Sequence, residues 1–152
     1  MVEKSGIKII CENRKGRFHF EVLESFEAGI MLTGSEVKSL RAGGANIGDS
    51  YGMINKNEIF LLHTHIAPFK GAGVFNHEPM RMRKLLLHAH QISKLIGKVN
   101  EKGFALIPLK LYFKEGKVKV ELALGKAKKM FDKRATIKKR EEDRGIARAM
   151  RR

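Results

Sequence analysis

The chain has 152 residues, 43% of them hydrophobic and 31% charged, with one cysteine and a formal net charge of +15. That length fits one domain plus an extension, no apolar run approaches the roughly 20 residues that span a membrane, and a lone Cys11 excludes an internal disulfide. The charge favours a polyanionic partner, nucleic acid ahead of an anionic membrane, because no wide apolar helix face accompanies the basic residues.

Residues 1–6 are polar and no apolar h-region follows, so no signal peptide is expected. The single thiol suits a reducing cytoplasm. Residues 1–16 read as loosely held, with 7–10 available as an edge strand. From Arg17, the residues Phe18, Phe20 and Val22 alternate with His19 and Glu21, the period of a strand with one buried face. Residues 28–32 read as a second strand. Thr33-Gly34-Ser35-Glu36 then has the form of a capping box. In the short helix that follows, Val37 and Leu40 face inward and Lys38 and Arg41 outward. Residues 51–54 and 58–66 pair as a hairpin over Asn55-Lys56-Asn57. The stretch 67–79, with two prolines and two glycines, is a long connection of the functional kind. After Arg81-Met82-Arg83-Lys84 and Leu85-Leu86-Leu87-His88, Ile92, Leu95, Ile96 and Val99 keep helical spacing. Strands 104–113 and 117–124 form a closing hairpin, and Gly125 ends the body.

Five or six short strands, two or three short helices and frequent Gly turns make a mainly β chain. A small closed barrel of the oligonucleotide-binding type removes the strand edges and fits the count. The expected domains are therefore a barrel over 1–125 and a basic tail over 126–152. The tail carries twelve lysines and arginines against four acids, a net +8, more than half of the chain's charge. It holds few apolar side chains, so it is expected to be disordered in isolation. Arg140, Arg144, Arg148 and Arg151 are spaced to fall on one face once it becomes helical on a polyanion.

Catalytic patterns are missing. Gly71-Ala72-Gly73 lacks the rest of a nucleotide-binding signature. The pairs His63/His65 and His88/His90 lack a third metal ligand of suitable type. Glu27, Glu36 and Asp49 are candidates for a converging carboxylate set, but Glu36 is already used as a cap. No enzyme, metal or cofactor is expected. Binding residues are easier to find. Lys38 and Arg41 share a helix face, and Arg81, Arg83 and Lys84 crowd the end of the long loop. Tyr51, Phe69, Phe75 and His88 offer rings for unpaired bases.

Five stretches occur together and in order: Phe26-Glu27-Ala28-Gly29, the run from Gly34 to Gly43, Asn46-x-x-Asp49-Ser50-Tyr51, the run from Arg83 to His88, and Asp132-Lys133-Arg134. Together they resemble small protein B, the SsrA-binding family of bacterial trans-translation. The resemblance implies a barrel that binds the tRNA-like domain of transfer-messenger RNA and delivers it to stalled ribosomes. It implies RNA contacts at Glu27, Leu86 and His88 with the basic residues around them. The expected RNA-binding set is completed by Lys38, Arg41, Asn46, Tyr51, Arg81, Arg83, Lys84, Lys126, Lys128 and Lys129. It also implies a tail that turns helical in the empty messenger channel at the decoding centre, carried by Asp132, Lys133, Arg134, Ile137, Lys138, Arg140, Arg144, Arg148 and Met150. The chain has Phe131 where relatives often carry Tyr or His, and Glu141-Glu142-Asp143 where some place an aromatic. Its partners are then transfer-messenger RNA and the small ribosomal subunit, with no membrane, and the protein is expected to be monomeric. The alternative is a generic ribosome-associated RNA-binding or RNA-chaperone protein.

Overall fold

A computed structural model describes residues 6–101, 103–128 and 130–150, without the side chains of 130–133, 135–136 and 147–150. The chain runs β1 (Ile7–Glu12), α1 (Arg14–His19), β2 (Phe20–Ile30), α2 (Gly34–Arg41), β3 (Ala45–Asn46), β4 (Tyr51–Asn55) and β5 (Glu58–Leu62). It continues with β6 (His65–Ile66), β7 (Arg83–Leu86), α3 (Ala89–Val99), β8 (Phe104–Lys114), β9 (Lys117–Ala127) and α4 (Met130–Met150). The protein is mainly β, as its alternating segments suggest.

Closure comes from two long strands. β8 pairs with β9 along a hairpin over Glu115-Gly116, and β9 turns its other edge to β2. The ring continues through β7, β5 and β4 and returns to β8. β1 lies on the far half of β8, opposite residues 110–114. The β4–β8 seam rests on one register pair, Gly52 opposite Leu106. A Cβ on Gly52 would come within 2.7 Å of the Leu106 Cβ, so the seam needs a glycine. The β4–β5 turn places Lys56 and Asn57 at φ 50° and 61°, the left-handed geometry a two-residue hairpin requires.

The core fills the barrel with Ile59, Leu61, Leu85, Leu106, Leu111, Val120 and Leu122, and Leu40 of α2 and Leu95 of α3 add to it. Each such side chain contributes about 1.5–3 kcal/mol by leaving water.

Three boundaries depart from the sequence reading. The alternation from Arg17 is not a strand start. Asn13 accepts from the Gly16 N–H at 2.8 Å and donates to the Pro108 carbonyl at 2.9 Å. This cap folds 14–19 into α1 and leaves Val22 exposed. The two expected strands around Glu24 are one continuous strand, β2. A bulge between Val22 and Glu24 breaks its period and imitates a turn. The barrel also extends past Gly125, because β9 continues to Ala127.

Residues 130–150, expected to be disordered alone, form a helix of 21 residues. The cause is local: Met, Ala, Lys, Arg and Glu, the better helix formers, make up ten of the fifteen residues 130–144, and no proline interrupts them. The described α4 side chains are exposed. The helix meets the body at α1, where the Arg140 guanidinium lies 5.2 Å from the Phe18 ring centroid. Ile137 and Arg144 line the same shallow groove.

Candidate nucleic-acid interface

Three strands build the floor of an open cleft of about 370 Å³. The register places Gly29 of β2 between Leu86 of β7 and Lys119 of β9. Glu27, two residues back along β2, falls on the same face. His88 and Gln91 at the start of α3 complete the wall. Thus Glu27, Leu86 and His88, separated by up to 61 positions in sequence, meet at one cleft.

Leu86 is 49% exposed, an apolar platform that nothing among the described residues covers. The strand explains it: Arg83 and Leu85 point inward, and Lys84 and Leu86 outward. His88 caps α3, and its backbone N–H donates to Gln91 Oε1 at 3.1 Å. Its ring stacks on His90 with centroids 5.6 Å apart and 10° between planes.

Glu27 is held from below. The buried Tyr112 hydroxyl donates to Oε2 at 2.7 Å, and Lys114 Nζ donates to Oε2 at 3.2 Å and to Oε1 at 3.4 Å. The Tyr112 hydrogen bond is the main cause that holds the carboxyl below its usual range; Lys114 and Lys119 add to it against a smaller effect of burial. Glu27 is therefore an oriented, ionised acceptor with Oε1 only weakly engaged. It cannot attract phosphate. It suits a base N–H or a ribose hydroxyl, while Lys119 supplies charge for the backbone.

The cation cluster at the end of the long loop is a correction. Arg83 was expected at the RNA surface but is 0% exposed. Its Nε bonds the carboxylate of Glu36, itself 0% exposed, Nη1 donates to the Thr64 carbonyl at 2.8 Å, and Nη2 to the Pro79 carbonyl at 3.2 Å. Arg81 bonds the other Glu36 oxygen at 2.6 Å, and Lys84 pairs with Glu58 at 3.2 Å. Burial alone would raise the Glu36 carboxyl; bonds from Arg81, the Thr33 N–H and Arg83 outweigh it and leave it lowered. Glu36 thus closes the predicted cap, taking the Thr33 N–H at 2.9 Å, and anchors two arginines as well. The sequence signal was the period-two placement of Arg83 beside Leu85, hidden in an unbroken apolar run.

The remaining expected residues are dispersed. Lys38 and Arg41 are exposed on α2. Tyr51 lies on a separate groove of about 610 Å³ between α1 and β4, lined also by Lys15, His19, Phe20 and Asp49. Its ring stacks on His63, 5.3 Å away. Asn46 accepts from the Gly48 N–H at 2.8 Å in a local turn. Lys126 is exposed, with Nζ 5.9 Å from the Phe104 centroid, and the Lys128 backbone N–H bonds the His19 carbonyl at 3.0 Å. Arg134, Ile137, Lys138, Arg140 and Arg144 are exposed on α4. Lys129 and Arg151, and the side chains of Asp132, Lys133, Arg148 and Met150, lie outside the described residues. Sequence reasoning missed Tyr112, Lys114 and Lys119, which position or flank Glu27. Only the pairing of β9 with β2, and of β8 with β9, brings them there.

Among the described residues, no three His, Cys, Asp or Glu side chains gather as a metal site. His63 takes φ 60° and ends β5, so it does not share a strand face with His65. Burial pushes the Cys11 thiol up to about 11, so it is no ready nucleophile. No described helix is long and apolar enough to cross a membrane.

Comparison with known proteins agrees with this geometry. The family described as SmpB protein matches residues 10–152. An SsrA-binding protein of Syntrophobacter fumaroxidans is 57% identical over 145 residues, 95% of this chain and 90% of the relative. One from Trichormus variabilis is 54% identical over 152 residues, 99% of this chain and 98% of the relative. A solved structure described as "tmRNA-SmpB: a journey to the center of the bacterial ribosome" matches with a TM-score of 0.67 and 47% identity, covering 79% of this chain and 85% of that one.

Proposed function

The chain belongs to the SmpB protein family, and on that premise we propose that it binds the tRNA-like domain of transfer-messenger RNA and delivers it to stalled ribosomes. The observation that carries this reading is the near full-length relationship to SsrA-binding proteins. The cleft supports it physically. A pre-oriented carboxylate, an exposed leucine and a histidine on a helix cap make a surface for exposed base and ribose edges, not for phosphate alone.

The second half of the proposal concerns α4. Its described side chains are exposed and, among the described residues, they meet the body at α1, so packing contributes little to its order. A helix of this length on its own is marginal in water. A groove of phosphates, such as the vacant messenger channel, would neutralise Arg134, Lys138, Arg140 and Arg144 and fix the helix there. The protein acts as an RNA-binding factor, with no catalytic step.

The test is the RNA that copurifies with the tagged protein from a bacterial lysate, identified by sequencing. Strong enrichment of transfer-messenger RNA over its cellular share is expected. Ribosomal and transfer RNA in proportion to abundance would favour the generic chaperone instead.

A further inference from the structure

Loop 67–79 carries an apolar tip that neither the barrel nor the cleft uses. Val74 is 93% exposed and Phe75 87%. The loop beneath them is nevertheless built. Asn76 accepts from the Phe69 N–H at 3.0 Å and donates to the Phe69 carbonyl at 2.8 Å, tying the loop's two ends together. His77 is buried between the Ser35 hydroxyl and the Ile66 carbonyl, each at 2.8 Å. The carbonyl needs a donor, so Nε2 carries a proton, and Nδ1 pairs with the Ser35 hydroxyl. Gly71 lies on the Phe69 ring, where a Cβ would meet Cε1 at 2.9 Å. Gly73 takes φ 54° and ψ −122°, a turn reserved for glycine, immediately before Val74. The ordering that a flexible loop would lose on binding has been met in advance.

The surroundings are cationic. Lys38 Nζ stands 5.7 Å from the Phe69 centroid, and Lys70 and Arg41 are exposed. None of the three forms an ion pair among the described residues. The α2 helix, whose Ser35 holds His77 at the loop base, also reaches the cleft, since Val37 lines a groove with Gly29, Leu86 and Lys119.

We propose that Phe75 is a second RNA contact, on whose ring an unpaired base of the bound RNA stacks while Lys38, Lys70 and Arg41 take flanking phosphates. The proposal rests on the RNA-binding reading above. Every base offers a π face, so this contact selects unpaired residues over a particular sequence. An apolar socket on a partner protein fits less well, because it would strip water from unpaired cations without neutralising them.

The experiment titrates labelled transfer-messenger RNA with full-length protein at several salt concentrations, using Phe75→Ala, Phe75→Leu and Phe75→Tyr. The Phe75 ring is exposed among the described residues, so all three keep the parent melting temperature. Ala and Leu should weaken binding about tenfold, the size of one base–ring stack, and Tyr should retain it. The slope of log K against log salt should stay unchanged in these variants and become shallower by about 0.7–0.9 in Lys38→Ala. Parent affinity in Phe75→Ala overturns the proposal, and so does retention by Phe75→Leu, because an aliphatic side chain offers no ring for a base to stack on. Failure of the parent protein to bind this RNA would instead sink the RNA reading itself, and this contact with it.

Discussion

The cations of the body and those of α4 look alike in the sequence but are used differently. In the body, Arg81, Arg83, Lys84, Lys94, Lys110 and Lys114 each lie beside a carboxylate. Among the described residues of α4, Arg134, Lys138, Lys139, Arg140 and Arg144 are exposed and form no ion pair. The lesson is that net charge marks a polyanion partner without saying which cations meet it. In the barrel, part of the charge holds geometry, and Lys38, Arg41, Lys70 and Lys119 stay outside its ion pairs. In α4, charge is left over for a ligand.

If that contrast is right, the largest single effect belongs to a residue that touches no RNA. Glu36→Gln leaves Arg83 buried without its counter-ion and should cost about 3–5 kcal/mol. Calorimetry should show a fall of about 10 °C in Tm. The same carboxyl has a lowered folded pKa, so its stabilisation is present above about pH 4.3, its unfolded value, and is lost as pH drops through the folded one. Acid titration of the parent protein should show that loss, and the Gln variant should lack it. An unchanged Tm in the variant would return Arg81 and Arg83 to the list of free cations.

Next in size is Glu27→Gln. A neutral amide keeps the shape but loses a charge-assisted acceptor, so RNA affinity should fall about tenfold or more while the fold persists. Filter binding beside thermal melting checks both parts. Normal binding by a folded variant would reduce Glu27 to a local partner of Lys114. Tyr112→Phe should then cost about 1 kcal/mol in stability and weaken RNA binding severalfold, by freeing the Glu27 carboxylate from its main donor. Affinity that stays at the parent value would show that the orientation of Glu27 is irrelevant. The smallest effect is expected from Phe18→Ala. It removes a contact worth about 0.5–1 kcal/mol from α4. Amide exchange in α4 should quicken a few fold with barrel exchange unchanged; faster exchange in both would mean that α4 supports the barrel.

Much of the architecture was legible because it rests on local chemistry. The alternation Val118, Val120, Leu122, Leu124 marked β9, the Thr33–Glu36 spacing marked the start of α2, and Asn55-Lys56-Asn57 marked the hairpin. What failed was where one local pattern imitated another. A bulge at Leu23 resembled a turn, and Phe18 and Phe20 kept a strand's period across the end of α1. The cleft was legible only in part. Glu27, Leu86 and His88 could be carried over by resemblance, but the support from Tyr112 and Lys114 depends on the pairing of distant strands. Arg83 was misplaced because burial of an arginine depends on a carboxylate 47 positions away, and composition does not report that.

The division of labour between barrel and α4 is tested most directly by ending the chain after residue 128, beyond the last barrel strand. The shortened protein should be assayed in parallel for transfer-messenger RNA affinity and for tagging on stalled ribosomes. The account predicts a folded barrel that keeps most of its RNA affinity and has lost tagging. Equal loss of both activities from a folded protein would contradict it.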